Sequence, residues 1–239
     1  MMEITFRMLS GNYIPFGSFE FYKDNTLKEI VSSVVNLVLS IPIETIYSYP
    51  KMAAIHYSLI ETLFEKHIAL VCDFTEDIFN KIFVTVCDGV QSTNSNHSVK
   101  AANSLDHLCL YIIDNQSKTR KPDNFEKLLK QMESQIDRLM KLTSDVFQLV
   151  LFDNCNNQFS LTRTLCSVFV FKPVLLQFFA KALLEAQPTE TANQLKDNFE
   201  QLVKFVQTGR VSGSMRDKFN RTVISIKMIS ADAAIVPVF

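Results

Sequence analysis

The stretch LFDNCNNQFSLTRTLCSVFVFKPVLLQFFAKALLEAQPTETANQLKDNFEQLVKFV (151–206) decides how this chain is read. Lys172-Pro173 and Gln187-Pro188 cut it into successive apolar patterns, and a proline ends one helix or opens the next. In its last third Ala192, Leu195, Phe199, Leu202 and Val206 recur at steps of three and four, which puts them on one helical face. No group in the stretch is poised for chemistry. It reads as helices that stack on one another, and the remaining chain repeats that plan.

Outward from it, the same spacing predicts helices over 160–171, 174–186, 189–207 and 214–229, the last carrying Met215, Phe219, Val223 and Ile226. Before it, Phe125, Leu128, Met132, Ile136, Leu139, Val146 and Val150 predict one long helix or two joined near Glu133. Ala102, Leu105, Cys109 and Ile112 mark a helix ending near Asn115, after a polar loop over 91–97. Ile78, Ile82, Val86 and Phe79, Phe83, Val90 share an earlier one. Pro50 suits a first helical position. The helix it opens carries two adjacent stripes, Met52, Ile55, Leu59, Leu63 and Tyr57, Ile60, Phe64, Ile68, so it is covered on more than one side. Asp24 is a candidate N-cap for Leu27, Ile30, Val31, Val34, Leu37 and Val38, and Pro42 ends that run or starts a short turn. Residues 1–9 read as the tail of a helix with no cap before it. A loop then holds Gly11, Pro15 and Gly17, with Phe16, Phe19, Phe21 and Tyr22 expected to anchor it. The tail SADAAIVPVF has no helical period, and 231–239 is expected to be loose.

Composition agrees. The 239 residues are 47% hydrophobic and 21% charged, enough apolar content for a packed core, and only 5 are glycine, too few for the turns of an all-β protein. The net charge of −1 gives no overall pull toward nucleic acid or an anionic membrane. The start MMEITFRML lacks the long apolar core of a signal peptide, and the N-x-S/T sequons at Asn96, Asn115 and Asn220 are therefore chance matches. No run reaches the roughly 18 uncharged apolar residues of a membrane span. The nearest, 165–184, is interrupted by Lys172, Pro173 and Lys181 and reads as a buried helix pair. Helix pairs with a period of roughly 40 residues fall in the HEAT and armadillo range. The fold expected is an all-α, HEAT/armadillo-like α-solenoid of antiparallel helix pairs, open at its N-terminal end.

The residues with chemical potential do not converge. Of Cys72, Cys87, Cys109, Cys155 and Cys166, all but Cys155 sit in apolar helical runs, where a thiol behaves as a small hydrophobe and a reducing compartment is the simplest reading. Cys155 lies among Asp153, Asn154, Asn156, Asn157 and Gln158, with no flanking base or cation to activate it, in what reads as a helix-end turn. His107 and Cys109 are two apart on a helix and diverge, so they do not share a metal. His56, His67, His97 and His107 are scattered. No GxSxG, GxxxxGK[ST] or GxGxxG is present. Glu126, Glu133 and Asp137 mix with Lys130, Arg138 and Lys141 as a solvated face. The basic joint QSKTRKPD (116–123) reads as an exposed, protease-sensitive loop. These residues supply no catalytic, cofactor or metal site, and the chain is not read as an enzyme.

One further observation is the order of certain blocks: SGNYIPFGSFEFYKDNTLKEI (10–30), LVLSIPIETIYSYPKMAAIHYSLIETL (37–63), CDGVQS (87–92), SLDHLCLYI (104–112), LFDNCNNQFSLTRTL (151–165) and QPTETANQLKDNFEQLV (187–203). Collinear from about residue 3 to 230, they resemble the C-terminal part of the exportin-7/Ran-binding protein 16 type of nuclear-transport receptor, in the importin-β superfamily. Phe159 stands where that family has Trp, and Thr164 where it has Pro; the final ten residues are unlike its tail. The resemblance implies that 1–230 is a C-terminal HEAT-repeat segment, with 1–22 a truncated helix plus loop. It implies a receptor that binds protein cargo and carries it through the nuclear pore under Ran-GTP control, meeting nucleoporins and shuttling between nucleus and cytoplasm, with no cofactor, nucleic acid or membrane insertion. The Ran-binding repeats of the family are N-terminal and are expected to lie outside this chain, a fragment or truncated product of a longer receptor, so no Ran contact is assigned. The alternative is a cytosolic HEAT-repeat scaffold that holds partners without transport.

Overall fold

The structure, a computed structural model, describes residues 1–11, 16–22, 24–153 and 155–232. Among them are fourteen α-helices and no strand. The fold is all-α, with helix hairpins packed in the HEAT/armadillo manner, and the chain divides into two compact units.

The first unit comprises Met1–Leu108 and Thr119–Gln135. It holds α1 (Met2–Ser10), α2 (Phe16–Phe21), α3 (Thr26–Leu39), α4 (Ile43–Tyr47), α5 (Pro50–Lys66), α6 (Ile68–Asp73), α7 (Glu76–Val90), the beginning of α8 (Ser95–Gln116) and α9 (Phe125–Ser134). Helix α5 is central. Pro50 opens it, and its buried residues Ala53, His56, Tyr57, Leu59, Ile60, Leu63 and Phe64 span a broad face, so α1, α4, α6 and α7 all pack on it. A helix apolar over so wide an arc has to be covered from several sides. His67 ends α5, and its Nε2 donates to the Leu9 carbonyl at 2.8 Å, tying down the end of α1. Thr75 caps α7 by accepting from the Ile78 amide. Helix α9 is held by polar reach: Gln131 donates to the Phe74 carbonyl at 3.2 Å and Lys127 to that of Asp73 at 3.0 Å.

Gly89 lies where α7 meets Tyr57. A Cβ there would overlap the fully buried Tyr57 ring and stand 2.7 Å from the Ala101 Cβ. Helix propensity alone would favour alanine at this helical position, but overpacking against a buried ring costs more. Gly89→Ala is therefore expected to destabilise the protein by about 1–3 kcal/mol, read as an earlier urea midpoint; an unchanged or later midpoint would show that the ring has room to move.

The second unit comprises Cys109–Lys118 and Ile136–Phe239. It contains the end of α8, then α10 (Ile136–Phe152), α11 (Gln158–Phe171), α12 (Pro173–Glu185), α13 (Thr189–Gln207) and α14 (Gly213–Asp232). Five helices each contribute one phenylalanine to its centre: Phe147, Phe169, Phe179, Phe199 and Phe219. Ring centroids lie 5.7 Å apart for Phe147–Phe169, 5.9 Å for Phe147–Phe179 and 6.2 Å for Phe169–Phe219. Helix α11 is buried almost all round, hydroxyls included. Thr162 and Thr164 survive there because each donates to the carbonyl four residues back, at 2.7 and 3.1 Å. This is the buried helix pair expected over 165–184: α11 and α12 bend by 111° at Lys172-Pro173, and no single described helix is long and apolar enough to cross a membrane.

Several expectations need correction. Ile30 and Leu37 are 47% and 53% exposed; the face of α3 that packs is Leu27, Val31, Val34, Val35 and Val38. The cap residue of α3 is Asn25 rather than Asp24, although the Asp24 carboxylate accepts from the Thr26 amide at 2.8 Å. Phe21 and Tyr22 are 80% and 78% exposed and meet each other edge-on at 5.2 Å, and 16–21 is helical. Pro15 lies outside the described residues. So do 233–239 of the supposed loose tail, whose first two residues, 231 and 232, instead end α14. The long pattern from Phe125 breaks at Gln135, giving the two-helix alternative.

Candidate binding surfaces

The cysteines and histidines with chemical potential mostly stay apart. Cys155 is half-buried at the turn before α11, and burial pushes its thiol up, against the opposing pull of the Lys227 ammonium. A thiol so placed holds less thiolate at neutral pH. Cys72, Cys87, Cys109 and Cys166 are buried thiols, and His107 is only half-buried beside Cys109. Among the described residues no group of three His, Cys, Asp or Glu could hold a metal ion. The joint 116–123 is exposed, with Lys118 on the Asn115 side chain and Lys121 paired with Glu126 over the Phe125 ring. Such surface pairs contribute little.

Binding surface is more plentiful. In the second unit a groove of about 480 Å³ runs between α10 and α12, floored by Met140, Phe178, Phe179 and Ala182 and edged by Asp137, Lys141 and Asp145. Phe178 is 52% exposed there, beside the exposed Val174. In the first unit an apolar groove of about 390 Å³ is lined by Met1, Met2, Leu37, Val38, Met52 and Ile55.

The first unit also has a polar recess of about 530 Å³ lined by Ile43, Tyr47, Asp88, Ser92, Thr93, Asn94 and His97. Here two of the scattered histidines meet. The His97 ring stacks on Tyr57 at 5.0 Å and Tyr47 at 6.1 Å, and His56 meets Tyr57 edge-on at 5.3 Å. The Tyr47 and Tyr57 hydroxyls are 2.6 Å apart. His56 is 1% exposed, and neither of its ring nitrogens has a hydrogen-bond partner. Burial, and secondarily His97, hold its imidazole down at about 4; burial and then Lys100 lower His97 as well. The polar loop expected over 91–97 would have included His97. Asn94 instead caps α8, its side chain accepting from the Asn96 amide at 3.0 Å, so the helix starts two residues before His97. The spacing His97, Ala101, Ser104, Leu108 on one face was the available signal.

All these grooves lie on the surfaces of an all-α, HEAT/armadillo-like arrangement of helix hairpins. The chain is similar to an exportin and to Ran-binding proteins. It is 25% identical over 225 residues to exportin-7-B of Xenopus laevis, and 24% identical over 233 residues to Ran-binding protein 17 of Homo sapiens. It is 24% identical over 229 residues to Ran-binding protein 16 of Drosophila melanogaster. These alignments cover 92–94% of this chain and 21% of each relative, so the chain spans about a fifth of their length. No protein-family model matches the chain, and no solved structure does.

Proposed function

We propose that the chain works as the C-terminal, cargo-carrying portion of a nuclear export receptor of the exportin-7 type. The observation that carries this reading is similarity to exportin-7 and Ran-binding proteins 16 and 17 along nearly the whole chain rather than over one motif. Helix-hairpin surfaces grip a folded protein, with no bond made or broken, so the chain is a binding protein and not an enzyme. Cargo affinity is switched by Ran-GTP held on repeats outside this chain, which requires only that the effector favour one state of the whole receptor. The groove floored by Phe178 and Met140 suits Phe-Gly segments of nucleoporins, whose rings fill apolar notches between helices. Carrier and receptor would then shuttle between nucleus and cytoplasm.

The test has two arms. Immobilised chain is exposed to Ran loaded with a non-hydrolysable GTP analogue or with GDP, and neither is expected to be retained. GTP-dependent capture would overturn the placement of Ran sensing elsewhere. A fluorescently tagged chain is expected to concentrate at the nuclear rim, and Phe178→Ser to disperse it. A wild-type chain spread evenly through the cytosol would contradict the carrier reading and favour a scaffold.

A further inference from the structure

Helix α12 turns outward a stripe that is complementary to itself. Val174 is 71% and Phe178 52% exposed, one turn apart, and the half-buried Ala182 continues the line by another turn. Steps of four keep the three on one helical face. The stripe borders the groove of about 480 Å³, with Met140 of α10, 38% exposed, beside it. Opposite charges stand at its two ends. Lys172 lies at the joint that opens the helix, its ammonium 4.9 Å from the centre of the Phe171 ring. Glu185 is the last helical residue and makes a loose, exposed pair with Lys181 at 3.7 Å. Phe178 lies six residues after Lys172 and seven before Glu185. It therefore marks the middle of the stripe to within one residue's rise of about 1.5 Å.

We propose that a second copy of this chain docks on this face, the two α12 helices lying antiparallel about a two-fold axis at Phe178. A two-fold contact requires that if residue i meets residue j of the other copy, residue j meets residue i in return. About Phe178 that condition holds along the whole stripe. The two Phe178 rings meet, each Val174 meets Ala182 of the second copy, and each Glu185 comes beside Lys172 of the second copy. A larger side chain thus meets a small one, and charge meets its opposite at both ends. The antiparallel sense also sets the positive N-terminal end of each helix against the negative C-terminal end of the other. A parallel pairing would set Glu185 on Glu185 and Lys172 on Lys172. One helix from each copy, with Met140 beside it, makes a small interface, so the dimer is weak and reversible. A nucleoporin segment would use the same face, but the pairing does not rest on that reading and is measured without it.

Sedimentation equilibrium of the full chain at low salt, over roughly 10 µM to 1 mM, reads the association. The expected result is a reversible monomer–dimer equilibrium with no larger species. Phe178→Ser is expected to weaken it more than about tenfold. Lys172→Glu and Glu185→Lys, each checked for folding by circular dichroism, are expected to weaken it about three- to tenfold when studied singly. Mixed in equal amounts, those two variants are expected to recover wild-type affinity, because the mixed dimer pairs opposite charges at both ends. A wild type that stays monomeric, a Phe178→Ser variant that associates as well as wild type, or a mixture no tighter than the single variants would each overturn the assignment. A monomeric wild type whose Phe178 ring signals shift on adding a Phe-Gly-repeat peptide would give the face to the nucleoporin instead.

Discussion

Phe147→Ala is expected to destabilise the second unit by about 3–5 kcal/mol, more than Gly89→Ala costs the first. The side chain is fully buried and touches the rings of Phe169, Phe179 and Phe199, so its removal leaves a void between four helices rather than at an edge. Helices α10 to α13 each turn an apolar face inward, and the phenylalanine cluster is where those faces share one interior. A residual cavity cannot collapse easily when its walls are ring faces fixed by separate helices. Urea unfolding followed by circular dichroism measures the change. A loss below about 1 kcal/mol would mean that the rings repack freely and that the cluster does not organise the unit.

The second large effect is a loss of stability in mild acid, centred on His56. In the folded protein its imidazole titrates at about 4, held down by burial first and by His97 second, against an ordinary value of 6.5. Between those values the unfolded chain binds a proton that the folded chain refuses, so stability rises with pH and falls as the solution is acidified. The contribution is fully present above pH 6.5 and is lost progressively down to about pH 4, a total on the order of 3 kcal/mol. His97, lowered in the same direction, adds to the loss. His56→Leu removes both unpaired ring nitrogens. It is expected to be neutral or stabilising at pH 7 and to flatten the pH dependence between 6.5 and about 4. If wild type and variant lose stability in parallel across that interval, His56 is not the group responsible.

The helices themselves were largely legible in the sequence. Proline joints and three-and-four spacing predicted 160–171, 174–186, 189–207 and 214–229, against Gln158–Phe171, Pro173–Glu185, Thr189–Gln207 and Gly213–Asp232 in the structure. They succeed because proline acts locally, through its fixed φ and missing N–H, and needs no tertiary information. Which flank of a wide apolar face is covered is a tertiary matter, and there periodicity failed: Ile30 and Leu37 match the helical step but are exposed, while Val35 is buried. Aromatic content misled in the same way at Phe21 and Tyr22. The meeting of His56 and His97 was illegible because the two are 41 positions apart in the sequence and are joined only by α5 packing against α8. The recess at Tyr47 and Asp88 was equally illegible, because it exists only once three helices come together.

The most direct measurement is an exchange of segments. The matching fifth of Xenopus laevis exportin-7-B is replaced by this chain, and cargo export from isolated nuclei is followed with and without Ran-GTP. A folded chimera is predicted to export cargo in a Ran-GTP-dependent manner, with Phe178→Ser slowing it. A folded chimera that still binds Ran-GTP yet leaves cargo in the nucleus would contradict the carrier reading.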